Sequence, residues 1–247
     1  MTASSVAELP LVSGHPALDL VNTVEPRLPV IGRHEHLAAP SDVLTWAQRV
    51  RLVDPAEAEA VTGAWAASPA SAERALIAVR QVREALAAVL SAFLARSEAP
   101  SLPGAAADLP EAAASLPGAA ADLPEVAAGV PGDLEYLAAS WAGAASRSRL
   151  VLGGPGGMAA RLAVGSSPAL LIPDRVAYAA VDLLCGTDLT HLAMCPVENG
   201  GCAWMFLDRS KNRSRRWCTM DACGSFAKSR RLTERRRAER SGYQQNG

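Results

Sequence analysis

The chain has 247 residues, of which 49% are hydrophobic and 4% aromatic. That is enough for one good-sized domain and a small one, and too apolar for a disordered protein. Residues 205–240 carry 12 Lys and Arg against four Asp and Glu, a net charge of +8, which leaves −9 for the remainder and −1 for the whole chain. An acidic body with a basic C-terminal segment is typical of regulators that bind nucleic acid.

The first residues show no secretory signal, and no charge-free apolar run is long enough for a membrane helix. The sequence therefore predicts a cytoplasmic protein without a membrane partner.

The first two thirds of the chain predict mainly helices. Apolar residues recur at steps of three and four, and proline or Ser/Asp pairs stand where helices begin. The first predicted helix follows the turn Gly14-His15-Pro16 and extends to Val24. Further helices are predicted over residues 41–50, 55–66, 70–96, 133–145 and 167–184.

Two other segments interrupt this helical pattern. Residues 101–114 and 115–128 are a tandem repeat with 13 of 14 positions identical, which we interpret as a duplication inside a surface loop. Apolar runs at 149–152 and 160–164 flank a glycine-rich turn and predict a β-hairpin. No Lys-Ser/Thr pair follows these glycines, so the turn is not a phosphate-binding loop.

Four of the five cysteines lie within 29 residues, in the spacing C-x6-C-x15-C-x4-C. Two such pairs predict a tetrahedral Zn²⁺ site formed by Cys195, Cys202, Cys218 and Cys223. A disulfide pair is the competing interpretation, but thiols stay reduced in the cytoplasm. Cys185 is interpreted as a small buried hydrophobe rather than a reactive thiol.

The residues between the cysteines predict a treble-clef-like finger. Residues 203–207 read as a strand, 208–212 as a turn, and 214–217 as a return strand. Thr219 is placed as the N-cap of a helix over residues 220–240. Trp204, Phe206 and Trp217 are the expected small core beside the metal. The predicted fold class is thus α+β: a mainly helical domain at 1–188 with a small β-hairpin, then a treble-clef-like zinc finger at 189–247 with a basic C-terminal helix.

Residues 202–231, CAWMFLDRSKNRSRRWCTMDACGSFAKSRR, resemble the CGNR zinc finger. The N-terminal GHPALDLVNT, residues 14–23, is similar to the start of the ABATE domain that accompanies this finger. The resemblance implies zinc binding and a stress-induced transcription regulator. Two positions depart from the family pattern: Ser225-Phe226 replaces the name-giving Asn-Arg, and the first cysteine pair is wider than the family's four intervening residues. Any phosphate or base contact made by the lost arginine is missing here.

Basic residues surround the last two cysteines and predict a nucleic-acid surface, because arginine binds phosphate bidentately. The candidate DNA-contacting residues are Lys211, Arg213, Arg215, Arg216, Lys228, Arg230, Arg231 and Arg235. A solvated helix with Arg230–Glu234 and Arg235–Glu239 pairs is the alternative.

His15, Asp19 and Asn22 share one face of the first predicted helix. They are the candidates for a small-molecule effector pocket, with helix capping and packing as the alternative.

Two functions therefore stay open: a DNA-binding transcription regulator, and a zinc-stabilised protein-interaction or sensor module that does not bind DNA. No catalytic spacing favours an enzyme. The oligomeric state is not given by the sequence, and a homodimer is among the partners considered.

Overall fold

The computed structural model describes residues 5–25, 34–98, 129–152, 160–197 and 201–244. The repeat at 101–128 and the tip of the 149–164 hairpin lie outside the described residues. Seven α-helices form most of this part of the chain: α1 Pro16–Val21, α2 Pro40–Arg49, α3 Pro55–Ala67, α4 Pro69–Glu98, α5 Val130–Ser146, α6 Leu171–Gly186 and α7 Ser225–Gln244.

Six short strands pair into three two-stranded antiparallel sheets: β1 Val24–Glu25 with β2 His34–Glu35, β3 Arg149–Leu152 with β4 Ala160–Ala163, and β5 Leu192–Met194 with β6 Met205–Leu207. Each sheet is a local hairpin at the edge of a helical body, so the molecule has no extended sheet layer in its described part.

Helix starts follow the local sequence closely. A proline begins each of α1 to α4, a position where the missing N–H leaves no backbone hydrogen bond unmade. Asp54 caps α3 by accepting a hydrogen bond from the Glu57 amide at 2.8 Å, and Glu57 accepts one from the Asp54 amide at 3.0 Å. This reciprocal capping box fixes the entry into α3.

The core of the helical body is centred on α4, which packs against α1, α2, α3, α5 and α6. Trp46 of α2 and Leu86 and Leu90 of α4 are fully buried in it. Burying a large apolar side chain contributes about 1.5–3 kcal/mol, so each of these residues stabilises the packing of α4 against its neighbours.

The predicted α+β fold class, mainly helical with small β-hairpins, is confirmed. The predicted return strand at 214–217 is wrong: the described backbone forms no strand there. The strand that pairs with β6 is β5, which precedes the first cysteine instead of following the second. None of the helices within the described residues combines the length and apolarity needed to cross a membrane.

Candidate metal centre and its basic surface

The first cysteine pair stands at the tip of the β5–β6 hairpin. Cys195 follows β5 directly and donates its amide to the carbonyl of Trp204 at 2.9 Å, which continues the strand pairing. The Gly201 amide turns back onto the carbonyl of Pro196 at 3.0 Å. A Cβ at Gly201 would lie 2.7 Å from both the Cys195 Sγ and the Pro196 carbonyl oxygen. Only glycine therefore allows the chain to close this tightly beside a cysteine.

The second pair lies where the terminal helix begins. Cys218 precedes the predicted cap Thr219, whose hydroxyl accepts a hydrogen bond from the Ala222 amide at 3.2 Å. Cys223 lies in the following π-helical turn, Met220–Gly224, which leads into α7. Unpaired amides at a helix start favour negative charge, so this turn suits a thiolate.

The four sulfurs converge on one point. All four lie within 4.8 Å of one another, and the Sγ atoms of Cys202 and Cys218, and of Cys218 and Cys223, are 3.4 Å apart. A tetrahedral Zn²⁺ with bonds of about 2.3 Å separates its sulfur ligands by about 3.8 Å. The spacing of the thiols thus fits a metal ion held by four cysteines.

The four thiols influence one another's ionisation. Hydrogen bonds from Cys202, Cys218 and Cys223 lower the pKa of Cys195. The contact between Cys202 and Cys195 raises the pKa of Cys202. One thiolate stabilised by its neighbours makes the next harder to form, because like charges would then lie side by side. A divalent cation removes this conflict. A four-thiolate donor set selects zinc over hard cations such as Mg²⁺ or Ca²⁺.

A small core lies beside this cluster and is formed by Leu9, Cys195, Trp204, Phe206 and Cys218, with Trp217 packed against it. The three aromatic residues expected here from the sequence are therefore brought together. Leu9 was not expected, since nothing in its sequence context distinguishes it from other leucines.

Arg215 belongs to this core rather than to the outer surface. Its guanidinium donates to the carbonyls of Val12 at 2.8 Å, of Trp217 at 3.1 Å, and of Cys218. It also lies over the ring of Phe206, 4.2 Å from the centroid. Through its Nε and Nη2 atoms Arg215 joins the metal loop to the N-terminal segment, whereas the sequence-based prediction placed this side chain at DNA.

The loop between β6 and Cys218 is ordered by a short polar motif. Asp208 accepts the amides of Ser210 at 2.8 Å and Arg215 at 2.9 Å, and the Ser210 hydroxyl accepts the Ser214 amide at 3.0 Å. The hydrogen bonds from Ser210 keep the pKa of Asp208 below its usual value. Asp208 and Ser210 thus shape this loop.

His191 braces the same loop from the other side. Its Nδ1 lies 2.8 Å from the carbonyl oxygen of Asp208 and its Nε2 lies 3.2 Å from Nη2 of Arg213. A carbonyl can only accept, so Nδ1 donates and Nε2 accepts from the guanidinium. Arg213, predicted to contact DNA, is therefore partly tethered although its surface is exposed.

The other candidate DNA contacts lie on the outside of the finger. All six of these candidate side chains are exposed, and Arg230 also forms an ion pair with Glu234 at 2.9 Å. These six residues, named here the basic surface, are Lys211, Arg216, Lys228, Arg230, Arg231 and Arg235.

Strand β6 connects the finger to the helical body. Side chains alternate along a strand, and here Met205 and Leu207 enter the main core while Trp204 and Phe206 enter the finger core. The outer edge of β6 is also paired. Its Met205 amide and carbonyl bond the side chain of Asn22, both at 2.9 Å.

The N-terminal segment completes this pairing. The Leu207 amide donates to the carbonyl of Ser13 at 2.8 Å. The next residue, Gly14, has a φ of +87° and a Cβ there would lie 3.6 Å from Leu207. The turn before α1 therefore packs against β6, in a backbone conformation that favours glycine.

The residues proposed for an effector pocket do not form one site. Asn22 is buried against β6, and Asp19 is buried with its Oδ1 accepting the Ser13 amide at 3.2 Å. Burial raises the pKa of Asp19. His15 caps α1 by accepting the Ala17 amide at 3.2 Å and points its Nε2 at Asp182, 3.3 Å away. His15 alone of the three lines an open cleft.

Comparison with known protein families gives two matches to this chain. Residues 191–236 match the family described as "CGNR zinc finger", and residues 14–187 match ABATE, described as "Putative stress-induced transcription regulator". A search of curated proteins found no match. The second match covers well over half of the chain and begins at the Gly14 turn that docks on β6. The chain therefore belongs to the ABATE family and carries a CGNR zinc finger at its C-terminal end.

Proposed function

We propose that this protein is a transcription regulator that binds duplex DNA through its zinc-stabilised finger. The observation that carries the proposal is the basic surface: six exposed Lys and Arg side chains on a unit held by four cysteines. The acidic remainder of the chain, at −9, repels DNA and so orients the finger toward it. The proposal assigns the protein no catalytic activity.

The contacts proposed are mainly to phosphates. Lys211 and Arg216 extend from the loop ordered by Asp208, and Lys228, Arg230, Arg231 and Arg235 extend from α7. Helix α7 is mostly polar, and its main packing contact is the turn that precedes it. Such a helix leaves most of its surface available to a polyanion.

The test is fluorescence anisotropy of the zinc-loaded protein with a pool of genomic duplex fragments at several salt concentrations. Affinity should fall by about 0.9 log unit per log unit of salt for each phosphate contact. Arg216→Ala and Lys228→Ala should each weaken binding to all fragments and flatten this slope by about one contact. Arg74→Ala, an exposed arginine on α4, is the matched control and should leave the slope unchanged.

A second function is favoured by one observation. Three apolar side chains at and after the turn that begins the terminal helix are exposed: Met220 at 67%, Phe226 at 59% and Leu232 at 40%. Exposed apolar side chains are available to a protein partner, and with such a partner the finger would be an interaction module. Absence of salt-sensitive binding to every duplex at about 50 mM salt, where phosphate contacts are strong, would give this function the lead.

A further inference from the structure

An open cleft of about 670 Å³ lies where the start of α1, α3, the β3–β4 hairpin and α6 meet. This volume is in the range of small-molecule sites. Leu52, Leu171 and Tyr178 give it apolar walls, and Arg149, Arg161, Arg175, Glu57, His15 and Asp182 give it charged ones. It lies apart from the metal centre and from the basic surface.

The charges in the cleft do not cancel. Arg175 forms two hydrogen bonds to the carboxylate of Glu57, at 2.5 and 2.6 Å, so this pair is neutral. Asp182 faces the imidazole of His15. Arg149 and Arg161 are left over: their backbones pair within the β3–β4 hairpin, but among the described residues neither guanidinium forms a hydrogen bond or a salt bridge.

The two arginines lie on the same face of the β3–β4 hairpin. The register pairs Arg149 with Ala163 and Val151 with Arg161. Arg149 and Val151 are two residues apart and so share a face of the sheet, and Arg161, paired with Val151, lies on that same face. Hydrogen bonds from Arg175 keep the pKa of Glu57 low, and the charge of Arg161 lowers it further. Arg161 is therefore close enough to act inside the cleft, and the cleft is a positive site on an acidic body.

One wall of the cleft leads directly to the finger. His15 lines the cleft and caps α1, Ser13 accepts the Leu207 amide, and Asn22 at the other end of α1 holds both backbone groups of Met205. A displacement of α1 would therefore alter its hydrogen bonds to β6, and β6 carries side chains of both cores. Such a rigid element biased at one end is the physical basis of coupling between sites.

We propose that this cleft binds a small organic anion with an apolar body, through Arg149 and Arg161, and that its occupancy acts on β6 through α1. The role of this ligand as an effector rests on the proposed function. Binding itself, and its effect on β6, do not depend on DNA.

Ligand-observed NMR titration of the zinc-loaded protein tests the binding. The probes are benzoate and hexanoate. Benzamide, which has an apolar ring but no charge, and inorganic phosphate, which is an anion without an apolar group, are the comparisons. Both carboxylates should bind, and benzamide and phosphate should not. Arg149→Gln and Arg161→Gln should each weaken carboxylate binding about tenfold, since each removes a charge-assisted hydrogen bond, whereas Arg74→Gln should change nothing.

Amide hydrogen exchange in the same samples tests the coupling. Saturating benzoate should change the exchange of the Met205 and Leu207 amides in the wild type, and not in Arg161→Gln. If neither carboxylate binds, or if they bind the two glutamine variants as tightly as the wild type, the proposed site is wrong. Binding with no change at these two amides overturns the effector role. A failure of DNA binding would leave all these readouts intact and overturn only the regulator function.

Discussion

Two adjacent arginines of the finger have different roles, although the sequence presents them as equivalent. The Arg215 side chain donates to three backbone carbonyls and lies over Phe206, while Arg216 is exposed. Charge counting cannot separate them, because the difference lies in the direction in which the loop projects each side chain. One stabilises the metal loop and the other is available to a ligand.

Replacing these two arginines should separate stability from DNA binding. Arg215→Ala should destabilise the protein by about 3 kcal/mol, because hydrogen bonds from a charged group contribute about 1.5–3 kcal/mol and three carbonyls lose their partner. Arg216→Ala should stay within about 0.5 kcal/mol, as exposed substitutions do. Urea denaturation of the two zinc-loaded variants measures both, and equal stabilities would show that the inward contacts of Arg215 contribute nothing.

The carboxylate of Glu35 accepts two hydrogen bonds from Arg83, at 2.6 and 2.7 Å. Burial alone would raise the pKa of Glu35, but the hydrogen bonds and charge of Arg83 lower it below its ordinary 4.5. The folded state then binds the proton less readily than the unfolded chain. The stabilisation is complete above the unfolded pKa and is lost as pH falls through the folded one.

Glu35→Gln should therefore flatten the loss of stability on acidification below pH 4.5. The measurement is the urea midpoint from pH 6 to pH 3, relative to wild type, with Glu73→Gln on the exposed side of α4 as the control. Any release of metal in acid affects all three proteins alike. If the urea midpoints of wild type and Glu35→Gln changed in parallel with pH, the Glu35–Arg83 pair would not contribute to stability in acid.

At the scale of elements, the contact between α1 and β6 depends on Asn22. Its amide makes the two hydrogen bonds that a neighbouring strand would make, so a side chain completes the edge of the sheet. Asn22→Ala leaves buried backbone groups of Met205 unpaired and should cost about 2 kcal/mol. The exposed Asn212→Ala is the matched control. Thermal denaturation compares them, and faster exchange of the Met205 amide should accompany the loss only in Asn22→Ala.

The finger should depend on its metal. Cys218→Ser removes one of four ligands and should reduce bound zinc from one ion per chain to a small fraction, with loss of order in residues 195–224, because small zinc units fold with their metal. Cys185 lies outside the cluster and is exposed, so its predicted burial is wrong; Cys185→Ser should retain full zinc. Elemental analysis and near-ultraviolet circular dichroism read out both. A wild-type protein that purifies with no metal would contradict the site.

The sequence predicted these elements unevenly, for physical reasons. Helix α4 was predicted over 70–96 and spans Pro69–Glu98, because a long apolar periodicity and a proline start are local signals. The four cysteines were found because metal ligands impose spacing. The position of β5 was missed, since three residues carry too little pattern to be recognised. The role of Asn22 was missed because its partner is 183 positions away.

At the scale of the whole molecule, the tandem repeat should be dispensable. Its two copies lie outside the described residues, between the ends of α4 and α5, and the change of loop length from removing one copy alters closure entropy by less than about 1 kcal/mol. Deletion of residues 101–114 should leave zinc content unchanged and stability within that margin. A loss of more than about 2 kcal/mol, the scale of a core deletion, would mean that the repeat is packed.

The division of β6 between two cores has a consequence for how such proteins can be recombined. If the finger were fused to another scaffold, Met205 and Leu207 would lose their apolar neighbours. One edge of β6 would also have unpaired backbone groups. A foreign finger placed on this body would leave Asn22 and Ser13 facing a backbone that does not match. An exchange of either part would therefore require β6 and the turn at Gly14 to be replaced together.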